Sequence, residues 1–130
     1  MEKKFLLDTN VAVYFLKNSL PENGKSFLLS AIPANKVEIS FITKIELLAY
    51  PSITSAEETA AQTFLSFFNI ITIDASIVDK TITIRKEAKI KLPDAIIAAT
   101  ALVNNLHLLS SNVHNFSKVE DLTIINPLTI

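Results

Sequence analysis

Three acidic residues carry the chemistry this sequence offers: Asp8 in FLLDTN, Glu46 in SFITKIELLAY and Asp94 in KLPDAIIAATAL. Each stands against an apolar run of the kind that forms a core strand or a helix packed on one. Taken singly, each has an ordinary reading. Asp8 can cap a helix, Glu46 stands three residues after Thr43 in capping-box spacing, and Asp94 after Pro93 opens a helix with its carboxylate near the first amides. Taken together they say more, because carboxylates gathered in one place repel each other and are costly to desolvate. A fold that collects three of them neutralises them with a cation or with protons. The chain has no cysteine and only two histidines, in separate segments, so the donor set is oxygen. Such a set suits Mg²⁺ or Mn²⁺ rather than zinc. Mg²⁺ needs few carboxylates and keeps several waters, one of which it can activate as a nucleophile, so hydrolysis of a phosphodiester is the leading chemistry.

The elements that must position these acids follow from the apolar pattern. A short strand over 4–7 ends at Asp8, and apolar residues at 11, 12, 13, 15 and 16 predict a helix over 9–17. Residues 21–24 read as a turn, with a second helix over 25–32. A β-rich run over 37–42 predicts a central strand, followed by a helix capped by Thr43 and ended by Pro51. Ser55 reads as the cap of the next helix, which carries Phe64, Phe67 and Phe68. A strand over 70–73 leads to a helix from Asp74 or Ser76 to about residue 88, and an Ala-rich helix runs from Pro93-Asp94 to 103. Strands at 107–109 and 122–125 complete the pattern. Strands alternating with helices imply a parallel sheet covered on both faces, one edge of which can hold all three acids.

Composition bounds the alternatives. The 130 residues are expected to form one domain, with 49% hydrophobic and 19% charged residues, one glycine and five prolines. No apolar run approaches the ~20 residues that span a bilayer, and the short patch after MEKK does not resemble a signal peptide. The lack of cysteine fits a reducing cytoplasm. A formal net charge of −1 argues against coating nucleic acid by bulk electrostatics, while leaving room for a local grip on a short stretch. The low charged fraction suggests apolar surface covered by a partner or a second copy. An aspartyl-phosphate hydrolase also places an aspartate after a first strand, but it needs a second one two residues on, where Asn10 stands.

The segments around the acids carry a resemblance. LLDTNVAVYFL, SFITKIELLAY and KLPDAIIAATALVNN resemble the first three signature blocks of the PIN-domain ribonucleases, especially bacterial toxins of the VapC type. LLSSNVHNFSKVEDLTIINP is similar to the fourth block. The resemblance covers essentially the whole chain, and the third block is its most specific part. It implies a three-layer α/β/α domain with a central parallel sheet of about five strands. It also implies that Asp8, Glu46 and Asp94 are metal-binding catalytic acids, with Asn112 at a fourth catalytic position. The activity implied is Mg²⁺-dependent endoribonuclease cleavage, with Mn²⁺ as a substitute, leaving 5′-phosphate and 3′-hydroxyl ends. The implied partners are RNA, a small antitoxin whose C-terminal segment lies in an apolar groove near the site, and a second copy of the chain.

One departure from the family pattern stands out. The fourth block usually supplies another acid at position 112 or three residues later, and here Asn112 and Asn115 are amides. An amide oxygen can ligate Mg²⁺ or hold a water but adds no charge, so one well-held metal and a weak second site are expected. Two other readings follow: a catalytically weakened PIN-like module that binds RNA or protein, and a solitary RNA-processing nuclease. Ser110 and Asn115 are candidates for orienting substrate. So are Arg85 and Lys86, in the basic run that continues through Lys89 and Lys91, against the plainer reading of a solvated helix end. His107 reads as structural and His114 as incidental. The phenylalanines read as core or as a contact surface.

Overall fold

The computed structural model describes residues 3–130. Its elements run β1 (Phe5–Leu7), α1 (Thr9–Leu16), α2 (Glu22–Ala31), β2 (Val37–Ser40), α3 (Phe41–Leu48) and α4 (Ser55–Leu65). They continue with β3 (Asn69–Ile71), α5 (Ala75–Glu87), α6 (Leu92–Val103), β4 (His107–Leu109), α7 (Val113–Phe116) and β5 (Ile124–Ile125). The strands form one five-stranded sheet in the order β3-β2-β1-β4-β5. Every pairing is parallel.

The alternation of side chains along each strand builds two cores, one on each face of the sheet. In β1, Phe5 and Leu7 join α1 to α4 through Val11, Leu28, Leu47 and Phe64. Leu6 faces the other way, against Ile77 and Ile84 of α5, the alanines of α6 and Phe116 of α7. The apolar runs without polar alternation in β1 and β4 are therefore what a strand covered on both sides requires. The alanines at 95, 98, 99 and 101 are buried, and small side chains on α6 let it lie close to its neighbours. The three-layer α/β/α arrangement is as expected from the alternation of strands and helices.

Several element ends differ from the pattern-based expectations. Gly24 lies inside α2, not in a turn, because α2 begins at Glu22 straight after Pro21. β2 stops at Ser40, whose hydroxyl oxygen accepts from the Ile42 amide at 3.2 Å and so caps α3. Thr43 is therefore a buried residue of α3 rather than its cap, and Glu46 is not its capping-box partner. Apolar Phe41 and Ile42 extend the strand-like run into the helix, and periodicity alone cannot separate the two states over so few residues. The capping box lies elsewhere. Thr54, not Ser55, caps α4, accepting from the Glu57 amide at 3.1 Å while Glu57 accepts from the Thr54 amide at 3.0 Å. Among the described residues no helix is long and apolar enough to cross a membrane.

Candidate active site

All five strands point their C-terminal ends the same way, and the acids lie along that edge. The chain leaves β1 towards β2 and β3 on one side and returns to β4 and β5 on the other. The crevice between β1 and β4 is therefore the switch point at which an open parallel sheet binds ligands. Asp8 follows β1 there, and Ser110 follows β4. The Asp8 amide donates to the Leu109 carbonyl at 3.0 Å, extending the ladder by one residue. Asp8 Oδ1 caps α1 by accepting from the Thr9 amide at 2.9 Å, and Oδ2 accepts from the Ser110 hydroxyl at 2.8 Å. Ser110 Oγ in turn accepts from the Asn112 amide at 2.9 Å. Asp8 and Ser110 are both buried, so this aspartate is held at both oxygens in a fixed orientation.

Glu46 reaches the same edge from α3. Its Oε1 accepts from the Thr9 hydroxyl at 2.7 Å, and Thr9 Oγ1 lies 3.0 Å from Thr43 Oγ1. Because Thr9 spends its proton on Glu46, Thr43 is the donor of the pair. A buried threonine of α3 thus supports the threonine that follows Asp8, which aims Glu46. Asp94 stands in the first turn of α6, where no side chain caps the helix. Its carboxylate is not spent on the helix amides, contrary to its plainer reading.

Electrostatics link the three. The Asp8 carboxyl is raised to about 6, chiefly by burial, with the charges of Asp94 and Glu46 contributing to the rise and the Ser110 and Thr9 hydrogen bonds opposing it. Burial also raises the Asp94 carboxyl, with Glu46 adding to the rise and Lys91 lowering it. Each pair among the three acids is therefore within reach of the other's field. They share one edge but are not drawn into a cage. Among the described residues no three His, Cys, Asp or Glu side chains stand close enough to grip an ion as placed.

The remaining candidates fall around this edge in different ways. Asn112 is half-buried at the start of α7 and makes no capping bond with its side chain. Asn115 is half-buried one turn later. Arg85 and Lys86 are exposed in the last turn of α5, where positive charge complements the helix dipole. Arg85 Nη1 donates to the Ile90 carbonyl at 2.9 Å. His107 packs edge-on against Phe5, and His114 is exposed. Phe64 and Phe68 are core with ring centroids 4.8 Å apart, while Phe67 is 66% exposed. Sequence reasoning missed Thr9 and the use made of Thr43. Their only signal was a hydroxyl residue directly after Asp8 and another on the face of α3 that bears Glu46.

The sequence matches the family model of the PIN domain over residues 5–122. The chain belongs to the PIN-domain family. Its PIN fold is similar to a chain of the toxin–antitoxin complex from Klebsiella pneumoniae, at 31% identity and a TM-score of 0.78, covering 98% of this chain and 100% of that one. It is similar to a chain of the DNA-bound VapBC from Salmonella typhimurium, at 25% identity and a TM-score of 0.84, covering 97% and 99%. It is also similar to a chain of VapBC-1 from nontypeable Haemophilus influenzae, at 27% identity and a TM-score of 0.80, covering 95% and 97%. No curated protein matches the chain.

Proposed function

We propose that this PIN domain is a divalent-metal-dependent endoribonuclease acting in the cytoplasm as the toxin of a toxin–antitoxin pair. The observation that supports the proposal is that Asp8, Glu46 and Asp94 share the switch-point edge, each within the electrostatic reach of the others. The donor set fits a hard cation: three carboxylates supply oxygen only, and desolvation of Asp8 creates a demand for positive charge. Asp8, Glu46 and Asp94 would hold a Mg²⁺ or Mn²⁺ ion, which would supply a Lewis acid and make water a better nucleophile there. Ser110 and the Thr9 amide fix the rotation of Asp8. Thr9 and Thr43 fix that of Glu46. Asn112, whose backbone amide donates to Ser110 Oγ, would orient water or phosphate without adding charge.

The relatives described as toxin–antitoxin complexes support an antitoxin partner. So does an apolar groove of about 220 Å³ between α1, α3 and α4, lined by Val13, Leu16, Leu47, Tyr50 and Ile53 and bordered by Glu46. A peptide seated there would lie beside Glu46. Exposed Phe67, Val78 and Ile82 support burial of further apolar surface against a second copy of the chain.

Two substitutions test how the site is built. Thr9→Val removes the donor to Glu46 and leaves the buried Thr43 hydroxyl without its acceptor. RNA cleavage is expected to fall by about 10- to 100-fold, the usual cost of losing a group that orients a metal ligand. Thr9→Ser is expected to restore it, and a Thr9→Val enzyme of wild-type rate would remove Thr9 from the mechanism. Asn112→Asp adds the charge the fourth block lacks. The Mg²⁺ concentration giving half-maximal cleavage is expected to drop, and an unchanged Mg²⁺ titration counts against Asn112 facing the ion. Cleavage assays on a labelled single-stranded RNA, with Mg²⁺ varied, read both.

A further inference from the structure

The connection between α5 and α6 forms a shallow niche of about 350 Å³ lined by Arg85, Ala88, Lys89, Ile90 and Lys91. We propose that this niche is a phosphate-binding subsite that seats the RNA backbone on the Asp94 side of the active site, with Lys89 and Lys91 as its cations and Arg85 at its rim. The proposal rests on the nuclease reading above and adds to it the residues that bring a polyanion to an acidic centre.

Charge is the first reason. A chain of net charge −1 that gathers three carboxylates at one edge repels RNA there unless cations stand close by. Three cations and no acid line the niche, and among the described residues none of the three bridges to a carboxylate. Position is the second. Lys91 immediately precedes α6 and Asp94 lies in that helix's first turn, so the niche borders the acid's end of the helix. Rigidity is the third. Buried Ile90 pins the connection to the core, and Arg85 clamps its carbonyl at 2.9 Å, so the niche keeps its shape while the lysines remain exposed.

Helix stability does not account for Lys91. Asp8, Ser40, Thr54 and Asp74 cap α1, α3, α4 and α5 with side-chain oxygens. At the same position Lys91 makes no capping bond and puts a cation at the positive end of the helix dipole. Lys86, by contrast, sits at the favourable end of α5 and does not line the niche.

The test measures binding apart from cleavage. In the Asp8→Asn background, fluorescence anisotropy of a labelled single-stranded RNA is followed over a KCl series. Lys89→Gln and Lys91→Gln are each expected to weaken binding and to reduce the slope of log K against log salt by about 0.7, the value of one lost phosphate contact on a single strand. Lys25→Gln, on α2 and bonded to Asn18, is expected to leave the slope unchanged. An unchanged slope for Lys91→Gln, or equal losses for all three lysines, overturns the niche, as does RNA that fails to bind. Cleavage of the same RNA by the unsubstituted protein with Mg²⁺ or Mn²⁺ reports on the nuclease reading separately. Normal cleavage with an unchanged slope sinks the niche alone.

Discussion

Asp8→Asn is expected to cut RNA cleavage by about a thousandfold, several kcal/mol of lost transition-state stabilisation, while making the metal-free protein more stable at neutral pH. The two effects share one cause. Asp8 is 3% exposed, and its carboxyl is raised to about 6 chiefly by burial. Unfolded, it ionises near the ordinary aspartate value of 3.8. Between those values the folded state keeps a proton that the unfolded state has released, so stability falls as pH rises through that window. Above about pH 6 the penalty is complete and amounts to about 3 kcal/mol at most. Asparagine removes the charge but replaces one of the two oxygens that accept from Thr9 and Ser110, so a net gain of about 1–2 kcal/mol is expected at pH 7.5. Near pH 4 the wild-type carboxyl is protonated in the fold, and the gain should vanish. Urea unfolding of both proteins in EDTA, at pH 4 and pH 7.5, checks this. A variant less stable than wild type at both values would contradict the electrostatic account of Asp8. Excess Mg²⁺ or Mn²⁺ should narrow the gap at pH 7.5, because a ligand of the native state stabilises only the protein that binds it.

Gly24→Ala is expected to destabilise the fold by about 2 kcal/mol, even though alanine is the better helix former by up to about 1 kcal/mol. Gly24 is the only glycine in the chain and is buried in α2. A Cβ there would run into the carbonyl oxygen of Pro127 and sit 3.3 Å from that residue's Cβ. Pro127 belongs to the segment after β5, where Leu128 packs on the α1–α4 core and its amide donates to Asn126 Oδ1 at 3.0 Å. Relief therefore requires backbone of α2 or of this segment to move, not the tip of a flexible side chain. For a domain of this size the loss corresponds to a melting temperature lower by about 6 °C. Calorimetry at neutral pH measures it, and an unchanged or raised melting temperature would show that the C-terminal segment is not pressed against α2. The divalent-ion requirement for cleavage is expected to be unchanged, since neither residue touches the acids.

The arrangement of layers was readable because apolar runs between breakers count strands and helices well, and because uniformly apolar strands such as 5–7 demand cover on both faces. The acids were readable because each follows or faces such a run. The boundaries were less so. At Phe41 and Ile42 the same apolar residues serve a strand and then a helix, and only Ser40 marks the change. Gly24 reads as a turn by its type, yet it is glycine because Pro127 lies against it from over a hundred residues away. The chain Thr43 to Thr9 to Glu46 depends on α1 and α3 being neighbours, which no local pattern encodes. The same holds for Ser110, whose role appears only when β4 lies beside β1.

Purified protein incubated with single-stranded RNA, with Mg²⁺ or Mn²⁺ and again with EDTA, beside Asp94→Asn, tests the shared ion most directly. Cleavage that needs the ion and disappears with the Asp94 carboxylate is the predicted result. Cleavage that persists in EDTA, or at wild-type rate in Asp94→Asn, would contradict it.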